Sequence, residues 1–161
     1  APKTQNKLVL LLDRVTDPQN VGAILRSAEV FGATAVATPI RYSAPETGAL
    51  AKAASGALER QPYLRLPNLA RAITSLRKMG YHCVGLDGTS DVDIAEGLAQ
   101  APIGPIALVV GAEGSGLREL TLKSCDRLFK ITSHREFGSL NVSNAAAISL
   151  CISRTQINQW R

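Results

Sequence analysis

Two apolar segments of this 161-residue chain, LVLLLD (Leu8 to Asp13) and PIALVVG (Pro105 to Gly111), constrain its fold most strongly. Their apolar residues stand at successive positions rather than alternate ones, which is typical of central strands buried on both faces of a sheet. Four further short runs are β-prone and end at turn-forming residues, so they are predicted strands. These runs are Thr34 to Thr38, Pro62 to Leu66, Tyr81 to Leu86 and Arg127 to Ile131.

Helical patterns lie between these runs. Apolar residues recur at helical spacing from Val21 to Phe31, and Asn20 and Gly32 are the predicted caps of this helix. A second pattern, Leu69 to Leu76, ends before Gly80, and a third covers residues 143–160. Strands that alternate with helices predict an α/β fold whose mostly parallel sheet is covered by helices. No repeat or linker divides the chain, which indicates one domain over residues 7–161, preceded by a linker remnant over residues 1–6.

The composition narrows the class of partner. A formal charge of +5 and a pI near 9.4 favour a polyanionic partner. Nucleic acid is the preferred interpretation, and a basic surface without such a partner is the alternative. The absence of any run of about 20 apolar residues argues against a membrane protein. Cys83, Cys125 and Cys151 stand apart in apolar surroundings, so we expect reduced core residues of a cytosolic protein. The cysteines and the two histidines lack metal-ligand spacing, so no metal is expected.

Glycine-marked turns follow three of the predicted strands. They begin at Leu86-Asp87-Gly88, at Gly111 and at Ile131. Ligands of open α/β sheets bind at the carboxyl ends of the strands, so these loops are expected to form one pocket. Glycine there permits close approach of backbone to a ligand, although each glycine alone can also serve a turn. The loop at Gly111 fits neither a P-loop nor a dinucleotide fingerprint, and no nucleophile motif supports a hydrolase.

Polar residues near these turns have two interpretations. Arg26 is either an anion clamp one turn from Gly22 or a surface partner of Glu29. Glu113 is either an exposed turn carboxylate or a hydrogen-bond acceptor in the pocket. Four polar residues lie before or in the last helix, which is more than helix capping needs. This surplus favours a functional site there. The four residues are Ser139, Asn141, Ser143 and Asn144.

Three segments together resemble the motifs of SpoU-type RNA 2′-O-ribose methyltransferases of the SPOUT superfamily. They are DPQNVGAILRSAEVFGA (Asp17 to Ala33), VVGAEGSGL (Val109 to Leu117) and SLNVSNAAAISL (Ser139 to Leu150). Their order and distances match the family, and the match covers nearly the whole chain. The pattern departs from the family after Ile131, where Thr132 to Arg135 replace a segment that usually contains Pro and Gly.

The resemblance implies a C-terminal trefoil knot, a homodimer, S-adenosylmethionine as cofactor and methyl transfer to a ribose of tRNA or ribosomal RNA. It also implies two sets of site residues. Those at the cofactor are Leu86, Gly88, Gly111, Glu113, Gly114, Ile131, Ser139, Leu140 and Asn141, and those around the reacting ribose are Asn20, Arg26, Glu113, Ser139 and Asn141. Arg26 is expected to orient the target phosphate, because an arginine is a poor base. The alternative is a knotted RNA-binding module without catalysis.

Overall fold

The computed structural model describes residues 6–112, 114–134 and 140–160. Its six strands are β1 (Leu8–Asp13), β2 (Ala35–Pro39), β3 (Tyr63–Leu66), β4 (His82–Leu86), β5 (Ile106–Gly111) and β6 (Arg127–Phe129). They form one sheet in the order β3-β2-β1-β5-β4-β6, and every neighbouring pair is parallel. The predicted parallel α/β sheet is therefore confirmed. The trefoil knot stays a prediction.

The described residues form seven helices, six of which lie between strands while the last follows β6. They are α1 (Pro18–Val30), α2 (Gly48–Ala54), α3 (Ala57–Arg60), α4 (Leu69–Lys78), α5 (Ile94–Ala99), α6 (Glu119–Ser124) and α7 (Val142–Gln159). The prediction that Asn20 caps α1 was wrong. Asp17 is the cap, since its carboxylate accepts a hydrogen bond from the Gln19 amide at 2.9 Å. Pro18 then occupies the first helical position, where the lack of an N–H costs nothing, and Asn20 lies inside the first turn.

Helices cover both faces of the sheet. On β1, Leu8, Leu10 and Leu12 face one core, which α1, α2, α3, α5 and α7 complete. Val9 and Leu11 face a second core, to which α4 contributes Leu69 and Ile73. All six residues of β1 are buried. This explains why its sequence is continuously apolar rather than alternating.

Close packing of α1 on α2 depends on Gly22. A Cβ atom at Gly22 would lie 2.4 Å from the Cβ of Ala53 and 2.8 Å from backbone atoms of Ala53 and Ala54. Gly22 therefore allows the backbone of another helix to approach α1. At the other end of α1, the Arg154 guanidinium of α7 donates to the carbonyls of Phe31 at 2.8 Å and Gly32 at 3.0 Å.

The three cysteines are free, as predicted, but they are not all core residues. Cys83 is buried and Cys125 is half-buried, and burial raises the pKa of each thiol to about 12. Cys151 is exposed on α7, so its expected place in the core was wrong. Within the described ranges, no helix is long and apolar enough to cross a membrane.

Candidate active site

The loops that follow β4, β5 and β6 surround one cleft of about 370 Å³ at the carboxyl edge of the sheet. Six of the nine residues expected at the cofactor line it: Leu86, Gly88, Gly111, Gly114, Ile131 and Leu140. Asn141 follows Leu140 at the start of α7. Glu113 and Ser139 lie outside the described residues. The predicted assembly of three loops into one pocket is therefore confirmed.

Glycines leave parts of the cleft wall without side chains. A Cβ atom at Gly88, Gly114 or Gly116 would meet no atom of the other described residues within 4 Å, chain neighbours aside, so open space separates each backbone from those residues. Gly114 and Gly116 also have φ angles of 80° and 65°, which disfavour other residues. The walls between the glycines are largely apolar: Leu86, Val110, Ile131, Leu140, Val142 and Ala145.

Gly111 serves a turn, which is the alternative that the sequence left open for each of these glycines. A Cβ atom there would lie 2.4 Å from the carbonyl carbon and oxygen of Gly116 and 2.7 Å from the amide of Leu117. The Gly116 amide also donates to the Ala112 carbonyl at 2.9 Å, closing a tight turn. Gly111 lines the cleft, but its lack of a side chain is required by the chain's own backbone rather than by a ligand.

The loop after β4 is held by its own polar side chains. The Asp87 carboxylate accepts hydrogen bonds from the amide and the hydroxyl of Thr89, at 3.1 Å and 2.9 Å. The Ser90 hydroxyl donates to the Leu128 carbonyl of β6 at 2.6 Å. These bonds hold the loop on both sides of Gly88, which lines the cleft together with Asp87.

Asp93 fixes the start of the third loop. Its carboxylate accepts from the Thr132 amide at 3.1 Å, from the Thr132 hydroxyl at 2.7 Å and from the Ala95 amide at the start of α5. The hydrogen bond from the Thr132 hydroxyl is the main reason that the pKa of Asp93 is lowered. Thr132, which departs from the family pattern, is thus anchored by a carboxylate from the loop after β4.

A buried ion pair holds the far end of the glycine-rich loop. Asp13 ends β1 with no exposed surface, and it accepts from the Arg118 amide at 2.9 Å and from Nε of Arg118 at 2.8 Å. The Arg118 side chain is 41% exposed, so its outer nitrogens still reach solvent. The loop between β5 and α6 is therefore fixed at both ends, by strand pairing of Gly111 with Asp13 and by this ion pair.

Asn141 caps α7, as the alternative interpretation expected. Its side-chain oxygen accepts from the amide of Ser143 at 2.8 Å and from the Ser143 hydroxyl. Capping therefore accounts for Asn141 and Ser143. Asn144 is exposed and is not needed for the cap.

Arg26 and Asn20 are not brought to the cleft within this chain. Arg26 is exposed on α1, in a shallow depression beside Ala23, Ser27, Val30 and Phe31. The alternative pairing of Arg26 with Glu29 was wrong. The Glu29 carboxylate instead accepts hydrogen bonds from Nε of Arg60 and from a terminal nitrogen of Arg60, the latter at 3.1 Å. Among the described residues, Arg26 has no ion pair.

Sequence reasoning missed several residues of the site. Lys130, Val142 and Ala145 also line the cleft, and so do Asp87 and Ser133, which belong to the expected loops but were not assigned individually. Asp93 and Asp13 were missed as well, although both had a detectable signal. Asp93 stands before an apolar helical pattern as an N-cap, and Asp13 ends a fully apolar strand, where a buried carboxylate needs a partner.

Comparison with known proteins agrees with this architecture. The model of the SpoU rRNA Methylase family matches residues 7–151. The 23S rRNA (guanosine-2'-O-)-methyltransferase RlmB of Vibrio parahaemolyticus is 43% identical over 146 residues, which cover 91% of this chain and 58% of the relative. RlmB of a Burkholderia species is 47% identical over 144 residues, covering 89% and 57%.

Solved structures give the same result. The SpoU methyltransferase AviRb from Streptomyces viridochromogenes, in complex with the cofactor AdoMet, superposes with a TM-score of 0.86 at 27% identity, covering 98% of this chain and 63% of that one. The chain thus spans less than two thirds of the length of these relatives. The resemblance drawn from the three motifs is confirmed, and the chain belongs to the SpoU rRNA methylase family.

Proposed function

We propose that this chain is the catalytic domain of a cytosolic enzyme that transfers a methyl group from S-adenosylmethionine to the ribose 2′-hydroxyl of a guanosine in ribosomal RNA. The observation on which the proposal depends is the cleft built from three loops at the carboxyl edge of the sheet. Support for the reaction comes from relatives named as 23S rRNA guanosine-2'-O-methyltransferases, and support for the cofactor from the AdoMet complex of AviRb.

The residues of the cleft suit such a cofactor. About 370 Å³ lies within the range of small-molecule sites, and the walls combine apolar side chains with exposed backbone. The open backbone at Gly88, Gly114 and Gly116 offers peptide groups to an adenosine or a methionine group, with no side chain in the way. Leu86, Ile131 and Leu140 would exclude water around it. When bound, the sulfonium supplies an electrophilic methyl group.

Positioning is then the chain's main contribution to catalysis. An in-line transfer requires the hydroxyl oxygen, the methyl carbon and the sulfur to be aligned, and fixed loops hold such an alignment better than mobile ones. The Asp93–Thr132 and Asp13–Arg118 hydrogen bonds anchor described ends of two of the three loops. Asn141 and Ser139 would position the ribose, and Glu113 would accept hydrogen bonds in the cleft. Phosphate or water would take the proton from the hydroxyl.

Arg26 needs a second copy of the chain to take part. It lies outside the cleft of its own chain, on a helix that packs against α7. Both helices leave apolar side chains exposed, Val30 at 76% and Ile148 at 36%. We infer a two-fold homodimer that covers these side chains and presents Arg26 of the partner subunit to the cleft, where it would bind the phosphate beside the target ribose.

Mixing two inactive variants tests both proposals. Arg26→Ala should abolish methyl transfer to ribosomal RNA but keep affinity for S-adenosylhomocysteine, and Gly88→Leu should lose both. A statistical mixture of the two should recover on the order of a quarter of wild-type activity, because each mixed dimer contains one intact site. The Arg127→Ala variant, altered on an exposed strand residue, is the matched control. A mixture as inactive as its components, from variants that light scattering finds dimeric, would contradict the shared site.

The alternative, a knotted RNA-binding module without catalysis, differs in one measurable property. Such a module has no need of an open glycine-walled cleft, whereas the described residues form one. Titration calorimetry of the unmodified chain with S-adenosylhomocysteine separates the two. Saturable binding at one site per chain supports the enzyme, and no binding supports the module.

A further inference from the structure

A second depression lies at the carboxyl edge of the same sheet, over β1, β2 and β3. It has a volume of about 560 Å³, larger than the cleft. We call it the basic groove and define it by six of its lining residues: Arg14, Arg41, Tyr42, Asn68, Arg118 and Leu120. None of them was assigned to the site by the motifs, since they come from the ends of three different strands and from the start of α6.

The groove carries excess positive charge. Within the described ranges, Arg118 is the only one of its three arginines that forms an ion pair, and its partner Asp13 is fully buried beneath it. Arg14 and Arg41 are exposed, and neither forms a hydrogen bond or an ion pair with another described residue. Two guanidinium groups without an ion pair in one depression favour a phosphodiester backbone as the ligand, because the N–H donors of a guanidinium suit the geometry of phosphate oxygens.

An aromatic side chain stands among these charges. The Arg14 guanidinium lies 4.2 Å from the centre of the Tyr42 ring and covers one face of it. Tyr42 is nevertheless 59% exposed, and Ile40 and Leu120 of the same depression are 58% and 64% exposed. An exposed aromatic ring beside arginines is the combination that binds unpaired bases and their phosphates together.

Backbone conformation points to the same two residues. Arg14 has a φ of 61° and Tyr42 a φ of 57°, in the left-handed region that glycine occupies more easily. Side chains other than glycine are retained there at a conformational cost, and such residues concentrate at functional sites. Among the described residues, three other than glycine have a positive φ: Ser55 ends α2, and the other two, Arg14 and Tyr42, contact each other across the groove.

We propose that the basic groove binds a single-stranded segment of the RNA substrate, with phosphates on Arg14 and Arg41 and one base stacked on the exposed ring of Tyr42. The groove and the cleft lie on either side of the loop from Gly111 to Arg118, with Gly114 and Gly116 at the cleft and Arg118 at the groove. A strand held in the groove can therefore continue into the cleft. The proposal rests on the proposed function for the identity of the RNA.

Fluorescence anisotropy with a short single-stranded oligoribonucleotide containing guanosine, measured at several salt concentrations, tests the groove. Removing two phosphate contacts should lower the slope of log affinity against log salt by about 1.4, since each contact to a single strand contributes roughly 0.7. The double variant Arg14→Gly, Arg41→Ala is expected to show this change without loss of stability, because glycine suits the backbone at position 14. Arg127→Ala, on the opposite edge of the sheet, should keep the wild-type slope.

Stacking has its own pair of variants. Tyr42→Ala should weaken binding by roughly 5- to 150-fold, whereas Tyr42→Phe should bind nearly as well as wild type. The same strand annealed to its complement should bind more weakly, because its bases are no longer free. An unchanged slope in the double variant, equal binding of duplex, or equal binding of an acidic peptide would overturn the proposal.

Calorimetry with S-adenosylhomocysteine separates this proposal from the proposed function. The groove variants should bind it as the wild type does, since none of their positions lines the cleft. If the wild type bound no S-adenosylhomocysteine but its RNA binding still depended on Arg14 and Tyr42, the methyltransferase function would fail and the groove would stand. If the wild type bound S-adenosylhomocysteine normally but the groove variants kept wild-type affinity for RNA, the groove proposal would fail and the methyltransferase function would stand.

Discussion

Replacing Gly88 by leucine should block the cleft without disturbing the fold. Gly88 lines the cleft, and a Cβ atom added there meets nothing within 4 Å. Its φ angle also lies outside the left-handed region, so a side chain causes no backbone strain. The added group therefore occupies space that is open in the protein and that the proposed cofactor needs.

The size of the effect follows from the volumes. Leucine adds four non-hydrogen atoms, and at roughly 30 Å³ for each water-sized atom they fill about 120 Å³. That is about a third of the 370 Å³ available. A ligand of micromolar affinity binds with about 8 kcal/mol, so losing a third of its contacts costs about 2.7 kcal/mol, which corresponds to a roughly hundredfold weaker Kd.

Titration calorimetry with S-adenosylhomocysteine measures this change, and thermal unfolding checks the fold. Gly88→Ala should give a smaller loss, and Gly48→Leu is the control, because Gly48 also has open space around its Cβ position but does not line the cleft. Gly111→Ala should instead destabilise the protein, since its Cβ atom meets the Gly116 backbone at 2.4 Å. Wild-type affinity in a folded Gly88→Leu variant would refute the assignment of the cleft.

Two further predictions concern stability. Gly22→Ala gains about 1 kcal/mol of helix propensity but forces a Cβ atom to within 2.4 Å of Ala53, and overpacking of this kind costs about 1–3 kcal/mol or more. Chemical denaturation should therefore find the variant less stable than wild type, while Gly48→Ala, with open space around it, should lose nothing. Burial lowers the pKa of His82 below its ordinary value of 6.5 and outweighs the opposing attraction of Asp126. The unfolded chain then binds more protons than the folded chain as the pH falls through about 6.5, so stability should fall from about pH 7.5 downward until the pH lies below the lowered pKa of folded His82, and this loss should be smaller in His82→Gln.

Much of the fold could be predicted from the sequence because burial leaves a direct pattern. The strand Leu8–Asp13 was predicted at its observed bounds. A strand buried on both faces is apolar at successive positions, so its prediction does not depend on placing an alternating apolar and polar pattern. The start of α1 was missed by three residues. Asp17 and Asn20 are both good caps, and the deciding signal was Pro18, which suits the first helical position.

The roles of individual glycines and charges could not be predicted in the same way. Gly22 and Gly111 both allow close approach, but whether to a ligand or to the chain itself depends on which backbone the tertiary fold brings near. Arg26 and Glu29 have the spacing of a helical pair. Arg60, distant in sequence, makes a two-point contact with Glu29 instead, and a bidentate guanidinium contact is stronger than a local pair.

The loop from Gly111 to Arg118 separates the cleft from the basic groove, and Asp13 holds both of its ends. One end is paired to Asp13 through the sheet, and the other is bonded to the carboxylate of the same residue, which has no exposed surface. The two ends of this loop, at Gly111 and Arg118, cannot separate from Asp13 without breaking these bonds. Because Gly111 lines the cleft and Arg118 lines the basic groove, Asp13 holds one lining residue of each. Salt should therefore weaken RNA binding in the groove without displacing these two residues from each other.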